Sequence, residues 1–299
     1  MLAHGPDAGQ RTATGPRYGG RMLVRRAVVL AALAASLTAC GSKPAAKPQA
    51  APSAPAGSEA ASPSAPAAGE SAPPAAPAAT GLPTITYTKA ATGFPADPEQ
   101  SSTAQLTEGL QLTAKSPVYD APGGQARAYL TPHISGVDLV MPIVARRNGW
   151  VAVLLPSINR SIGWLPAGNW ATRPLRDQLV VRRGAFTLTW LRDGAPQQTW
   201  TVAIGTDRTP TPLGRTFVIA RSALPSKVYA GLDVLALGAV PDDKEAVAAG
   251  LADAHTGIHA WHRNEFGIRS SNGCVRMPPP AQQVLLAQIP PGTSVVVLP

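Results

Sequence analysis

From Leu106 to the C-terminus the chain is cut into short β-prone runs by Gly, Pro, Asn and Asp, which leaves little room for helices. Leu110–Thr113, Val118–Tyr119, Ala126–Leu130, Leu139–Ala145, Trp150–Leu155 and Ile162–Leu165 are separated by Asp120-Ala121-Pro122-Gly123-Gly124, Arg147-Asn148-Gly149 and Pro156–Arg160. Such spacing predicts a small barrel or sandwich over 106–172. Gln178–Arg182, Ala185–Leu191 and Gln198–Ile204 then alternate apolar and polar residues, with Arg192-Asp193-Gly194 as a hairpin turn. Asp243 to Ala254 reads as helix-compatible, with Asp242 and Glu245 at capping-box spacing. Pro278–Pro280 can start a short helix over Ala281–Gln288, and Thr293–Leu298 is a last strand. The fold class is therefore mostly β.

The first third of the chain is different. Residues 41–83 hold almost only Ala, Pro, Ser and Gly with no aromatic side chain, too little apolar surface to offset the entropy of ordering. A disordered linker is expected over 41–105, acting as a tether. Before it, Arg21, Arg25 and Arg26 precede an apolar run, Ala27 to Leu37, and small residues, the pattern of a secretory signal over 1–40. Leu37-Thr38-Ala39-Cys40 resembles the lipobox of bacterial lipoproteins. The resemblance implies cleavage before Cys40 and lipidation of its thiol, hence an exported, membrane-anchored protein facing the cell wall. No uninterrupted apolar stretch is long enough to span a bilayer. The net charge of +9 from 26 basic and 17 acidic residues becomes 21 − 16 = +5 after Cys40 cleavage. With export and no nucleic-acid-binding motif, nucleic acid is not an expected partner.

If Cys40 is acylated, Cys274 has no disulfide partner, and an unpaired cysteine in an exported protein is buried or used. Cys274 follows the small turn Ser271-Asn272-Gly273, which exposes backbone N–H groups beside the sulfur. A nucleophilic cysteine needs a base or a cation to raise its thiolate fraction. His259 lies 15 residues upstream at the end of an apolar run, and the intervening loop can bring the two together. His255, His259 and His262 with Cys274 could suggest zinc. Gly257 and Ile258 oppose the helix that would align the first two, so no metal and no cofactor are expected.

Thr209-Pro210-Thr211-Pro212-Leu213-Gly214, Ile258-His259-Ala260 and Ser271 to Met277 together resemble the YkuD-type L,D-transpeptidases over about 175–299. The resemblance implies a β-sandwich with short helices in which Cys274 attacks a peptidoglycan stem peptide and His259 is base, then acid. Gly273 and Cys274 N–H would hold the oxyanion, and Ser271 and Arg276 would shape the site. Tyr229 falls where the family often lines its pocket, while Ala260 departs from the usual Gly. Residues 106–172 resemble the SH3-like domains that accompany envelope enzymes, through Val118 to Gly124, Asn148 to Pro156 and Gly163 to Ala167. The implied activity is 3→3 cross-linking through a thioester with release of D-Ala, by a monomer. L,D-carboxypeptidase activity uses the same residues, and an inactive wall-binding lipoprotein is the non-enzymatic alternative. Residue order argues against NlpC-type peptidases, which place Cys before His, and the short His–Cys separation argues against sortases.

Overall fold

The computed structural model describes residues 71–223 and 226–299. Strand makes up 41% and helix 7% of the described residues, so the chain is mostly β. The expected signal sequence, Cys40 and the linker up to residue 70 lie outside the described residues.

The first sheet is built from β1 (Glu108–Leu112), β2 (Ser116–Tyr119), β3 (Ala126–Leu130), β6 (Val140–Arg147), β7 (Trp150–Leu154), β8 (Ile162–Pro166) and β9 (Trp170–Pro174), with β4 (His133–Ile134) and β5 (Val137–Asp138) as a separate small hairpin. Its order is β3-β2-β8-β7-β6-β1-β9. Asn148 and Gly149 join β6 to β7 with φ of 45° and 75°, the left-handed pair that a two-residue hairpin turn requires. Leu110, Met141, Val153 and Leu165 fill the interior.

The second sheet contains β10 (Asp177–Arg182), β11 (Thr187–Arg192), β12 (Ala195–Thr201), β14 (Gly214–Ser222), β15 (Val234–Leu237), β16 (Gly257–Ala260), β18 (Val275–Met277) and β19 (Ser294–Leu298), in the order β12-β11-β10-β19-β14-β15-β16-β18. Asp193 and Gly194 form the expected hairpin turn, with φ of 51° and 78°. Short β13 (Ile204–Gly205) pairs with β17 (Arg269–Ser271) beside the sheet. The C-terminal β19 runs parallel to β10 and antiparallel to β14, tying the two halves together. Helix α1 (Pro279–Gln288) opens on proline, which lacks the N–H that a first turn would leave unpaired. Its Ala281 and Leu285 join Leu179, Val218, Ile258 and Val297 in a second core.

Two expectations are corrected. Residues 243–254 do not form a helix; one 3-10 turn, Ala249–Leu251, is all that appears. Asp242 does not cap, because its carboxylate is drawn to Arg160 and Asn159. Asp243 takes the local role, accepting from Glu245 N and Ala246 N at 2.9 and 3.2 Å. Gly250 adds about 1 kcal/mol against a helix there. The second correction concerns the linker, whose part from residue 71 to 105 is packed rather than free. Ile85 is 2% exposed within the first core. Tyr129 N donates to Pro83 O at 2.8 Å and Ile85 N to Tyr129 O at 2.9 Å. Asp97 is paired with Arg215 of β14, both side chains being almost wholly buried. Ile85, Tyr87 and Phe94 supply the apolar anchors that the Ala/Pro stretch before them lacks, and the prolines lower the entropy lost on ordering.

The sheets share packing. Phe217 and Ile219 of β14 bury themselves in the first core, while Val218 between them points into the second. The turn between β7 and β8 grips the chain leaving β15. Ser157 N donates to Gly238 O at 2.9 Å, and the Asn159 amide both donates to Val240 O and accepts from Val240 N, at 2.7 and 3.0 Å.

Removing one partner of a buried ion pair strands the other charge and costs about 3–5 kcal/mol. Asp97→Ala should therefore lower the urea midpoint strongly. Glu108→Ala, at the half-exposed pair with Arg146, should cost under about 1 kcal/mol. Equal effects of the two substitutions would contradict the packing of this segment.

Candidate active site

Strands β16 and β18 lie side by side and parallel, with Ile258 opposite Val275, His259 opposite Arg276 and Ala260 opposite Met277. Side chains alternate along a strand. Ile258, Val275 and Met277 point into the second core. His259 and Arg276 therefore face the other way, and so does Cys274, two positions before Arg276. These three side chains line one cavity of about 180 Å³, together with Tyr229, Trp261 and Ser271.

His259 is 4% exposed, and its Nδ1 lies 2.7 Å from Ala260 O. A carbonyl can only accept, so Nδ1 carries the proton and Nε2 keeps its lone pair. Burial, assisted by the Arg276 charge and opposed by the Ala260 carbonyl, pushes the imidazole pKa down to about 4. Tyr229, ending a 3-10 turn over Lys227–Tyr229, packs edge-on against this ring, the centroids 4.6 Å apart at 74°.

Cys274 is a free thiol on a partly exposed residue. Burial of the thiol pushes its pKa up, and the Gly257 backbone and the Arg276 guanidinium pull it back down. Both shifts favour the uncharged forms, SH and imidazole.

The other expected residues have distinct places. Gly273 holds φ of 101°, a left-handed backbone that favours glycine. Ser271 is buried and its hydroxyl donates to Cys274 O at 2.5 Å. The Ser271 carbonyl accepts from Thr206 N and Thr209 Oγ1, both at 3.0 Å. The proline-bounded loop after β13 thereby buttresses the turn that presents the sulfur. Arg276 Nη1 donates to Ser270 O at 2.9 Å, and its guanidinium lies 3.6 Å from the Trp261 ring centroid, a cation–π contact.

The histidines weighed as zinc ligands are engaged separately. His255 sits among Leu237 O, Tyr87 O and Ser157 Oγ, and His262 Nδ1 lies 3.2 Å from Val228 O. Sequence reasoning missed Trp261 and Tyr87. Trp261 stands two residues after His259 and on the same side by alternation, so that signal was available. Tyr87 stacks on His255 at 4.0 Å from far upstream, and no local pattern announces it.

This arrangement of Cys, His and Arg, on parallel strands beside a buttressed Ser-Asn-Gly turn, coincides with a family assignment. Residues 176–297 match the family model of the YkuD-type L,D-transpeptidase catalytic domain. No curated protein matches the chain significantly. Among solved structures it is similar to an L,D-transpeptidase from Mycobacterium smegmatis, with 14% identity over 68% of this chain and 88% of that one, TM-score 0.33. It is also similar to the catalytic domain of the E. faecium L,D-transpeptidase, with 21% identity over 41% and 96% of the respective chains, TM-score 0.30. L,D-transpeptidase 3 from Mycobacterium tuberculosis matches at 12% identity over 50% and 91%, TM-score 0.34. Of the residues outlining this cavity, His255 is held from outside the matched region, by Tyr87 and by Ser157 of the turn between β7 and β8.

The His259 pKa gives a signed pH prediction. An unfolded histidine binds its proton near pH 6.5, whereas folded His259 resists until about pH 4. Stability is complete above pH 6.5 and falls as pH drops to 4, by on the order of 3 kcal/mol from this group. Burial lowers His255 as well, adding loss in the same direction. Chemical denaturation from pH 8 to pH 4 should show this slope, and His259→Gln should flatten it. A slope unchanged by that substitution would contradict the assigned neutral imidazole.

Proposed function

We propose that the chain is a peptidoglycan L,D-transpeptidase in which Cys274 is the nucleophile and His259 the general base. The observation that carries this reading is the placing of both side chains in one cavity, with His259 Nδ1 bound to Ala260 O so that Nε2 is free to take a proton. The donor is a tetrapeptide stem. Its third residue is joined through its L-centre carbonyl to a terminal D-Ala. The sulfur attacks that carbonyl while His259 takes the thiol proton. Gly273 and Cys274 N–H receive the oxyanion, a large contribution wherever such donors are fixed beforehand. His259 then returns the proton to the leaving D-Ala amine and a thioester remains. The side-chain amine of a second stem attacks the thioester; the new C–N bond replaces the C–S bond, and the amine proton goes by way of His259 to the sulfur. The product is a 3→3 cross-link.

Arg276 serves two ends in this scheme. Its charge lowers the thiol pKa, which helps the sulfur ionise. It also disfavours a resting imidazolium, which keeps His259 available as a base. Ser271 acts through the turn, by holding the Cys274 carbonyl.

The lipobox-like Leu37 to Cys40 supports an exported enzyme anchored through lipid on Cys40 and facing the wall, with an SH3-like module in the first sheet beside the catalytic domain. A single copy contains every residue this mechanism uses.

Mixing the protein with a tetrapeptide stem should give a mass adduct on Cys274, release D-Ala and, with acceptor present, yield dimers. Cys274→Ala should abolish the adduct. His259→Ala should slow its formation by about 10²- to 10⁴-fold, the usual worth of general acid–base catalysis. D-Ala release by Cys274→Ala at the parent rate would end this reading. An adduct followed only by tripeptide, with acceptor amine present, would make the enzyme an L,D-carboxypeptidase.

A further inference from the structure

Three aromatic side chains of the first sheet each have a polar contact with the Pro-rich segment that precedes it. Trp150 Nε1 donates to Pro73 O at 2.9 Å, Tyr119 OH to Ala76 O at 2.8 Å and Tyr129 OH to Ala79 O at 3.3 Å. The accepting carbonyls fall at 73, 76 and 79, a repeat of three. Three residues per turn is the period of the polyproline II helix, which makes no internal hydrogen bonds and offers its carbonyls outward. Burial follows the first two positions of the repeat, where Pro73 and Ala76 are half-buried between exposed neighbours; at the third, Ala79 is exposed and its carbonyl also accepts from Leu82 N at 3.4 Å as the segment turns.

The surface that receives the segment is shaped for it. Tyr119 and Trp150 are each 2% exposed and meet edge to face, with centroids 5.1 Å apart at 87°. Two hairpin glycines sit under the segment. A β-carbon on Gly123 would come within 2.9 Å of Pro73 Cβ, and one on Gly149 within 3.0 Å of Ala72 Cβ. Both also hold positive φ, +69° and +75°. Recognition here uses aromatic N–H and O–H donors toward main-chain carbonyls, together with shallow packing on prolines. This is the general mode by which aromatic grooves take extended Pro-rich peptides with little entropy cost.

We propose that the first sheet is a polyproline II-binding module and that residues 72–79 of this same chain are its built-in ligand, docked in cis as a latch. The latch fixes the start of the strap that continues over Pro83 and Ile85 to Tyr87. Tyr87 then stacks on His255, which lines the catalytic cavity. The segment expected to be a free tether is by this account fastened to the enzyme up to its first described residues, and its fastening reaches the edge of the active site. The inference stands independently of the reaction assigned to Cys274.

The test uses the full chain and a synthetic peptide with the sequence of residues 71–81. In one variant, Pro73→Gly, Pro74→Gly and Pro77→Gly are combined to weaken the latch while leaving the groove intact. A closed latch taxes any competitor by the fraction of time the groove is open. The triple variant should therefore bind the peptide at least tenfold more tightly than the parent, read from the Trp150 indole N–H signal during titration. A peptide with glycine at the three proline positions should bind at least tenfold more weakly than the native one. Adding Tyr119→Phe to the triple variant should weaken binding again. Equal affinity of parent and triple variant, or equal affinity for the two peptides, would overturn the proposal. A parent mass that rises with concentration and falls to monomer in the triple variant would also overturn it, because the segment would then be docking on a second copy.

Discussion

The parallel pairing of β16 with β18 is the constraint on which the site depends. It sets His259 against Arg276 in register, and strand alternation then places Cys274 on the same side as both. The opposite faces of these strands carry Ile258, Val275 and Met277 into a packed core. A slip of one residue would turn the imidazole into the apolar core and the hydrophobes into the cavity, so core packing and the placing of these side chains are enforced together. Gly257 contributes by bringing its backbone to the sulfur, where it favours the ionised thiol. The neighbouring Ala260 contributes a carbonyl, and that carbonyl fixes the tautomer of His259.

Around this pair the molecule brings in distant segments. The Asp97–Arg215 ion pair fastens the N-terminal strap to β14, and the Asn159 side chain holds Val240 by both its amide groups. The chain between Val240 and Thr256 forms a wall of the cavity through Pro241, Leu251 and His255, and it contains only a single 3-10 turn. So irregular a wall depends on what grips its ends. Ser157, Asn159 and Tyr87, all from outside residues 176–297, do the gripping. The first sheet is in this way part of the framework of the site, whatever else it binds.

Much of this was legible in the sequence because the responsible signals are local. Asp193-Gly194 and Asn148-Gly149 announce their turns through residues that tolerate left-handed backbone. The Ser271 to Met277 string carries both its chemistry and its turn. What escaped is long-range. Asp242 sits at cap spacing, yet Arg160 reaches it from another sheet and the helix does not form. The residues from 71 to 105 resemble a linker when averaged, because a few anchors such as Ile85 and Asp97 are diluted by Ala, Pro and Ser. Their partners, Tyr129 and Arg215, lie far away in sequence. Tyr87 was invisible for the same reason.

The most direct test of the catalytic account is the protonation of His259, read by nitrogen-15 NMR of its imidazole in the resting protein. The account requires the neutral ring with its proton on Nδ1 from pH 8 down to about pH 5, titrating only near pH 4. A ring protonated on Nε2, or one already positively charged at neutral pH, would leave His259 without the free Nε2 lone pair that the account requires and would contradict it.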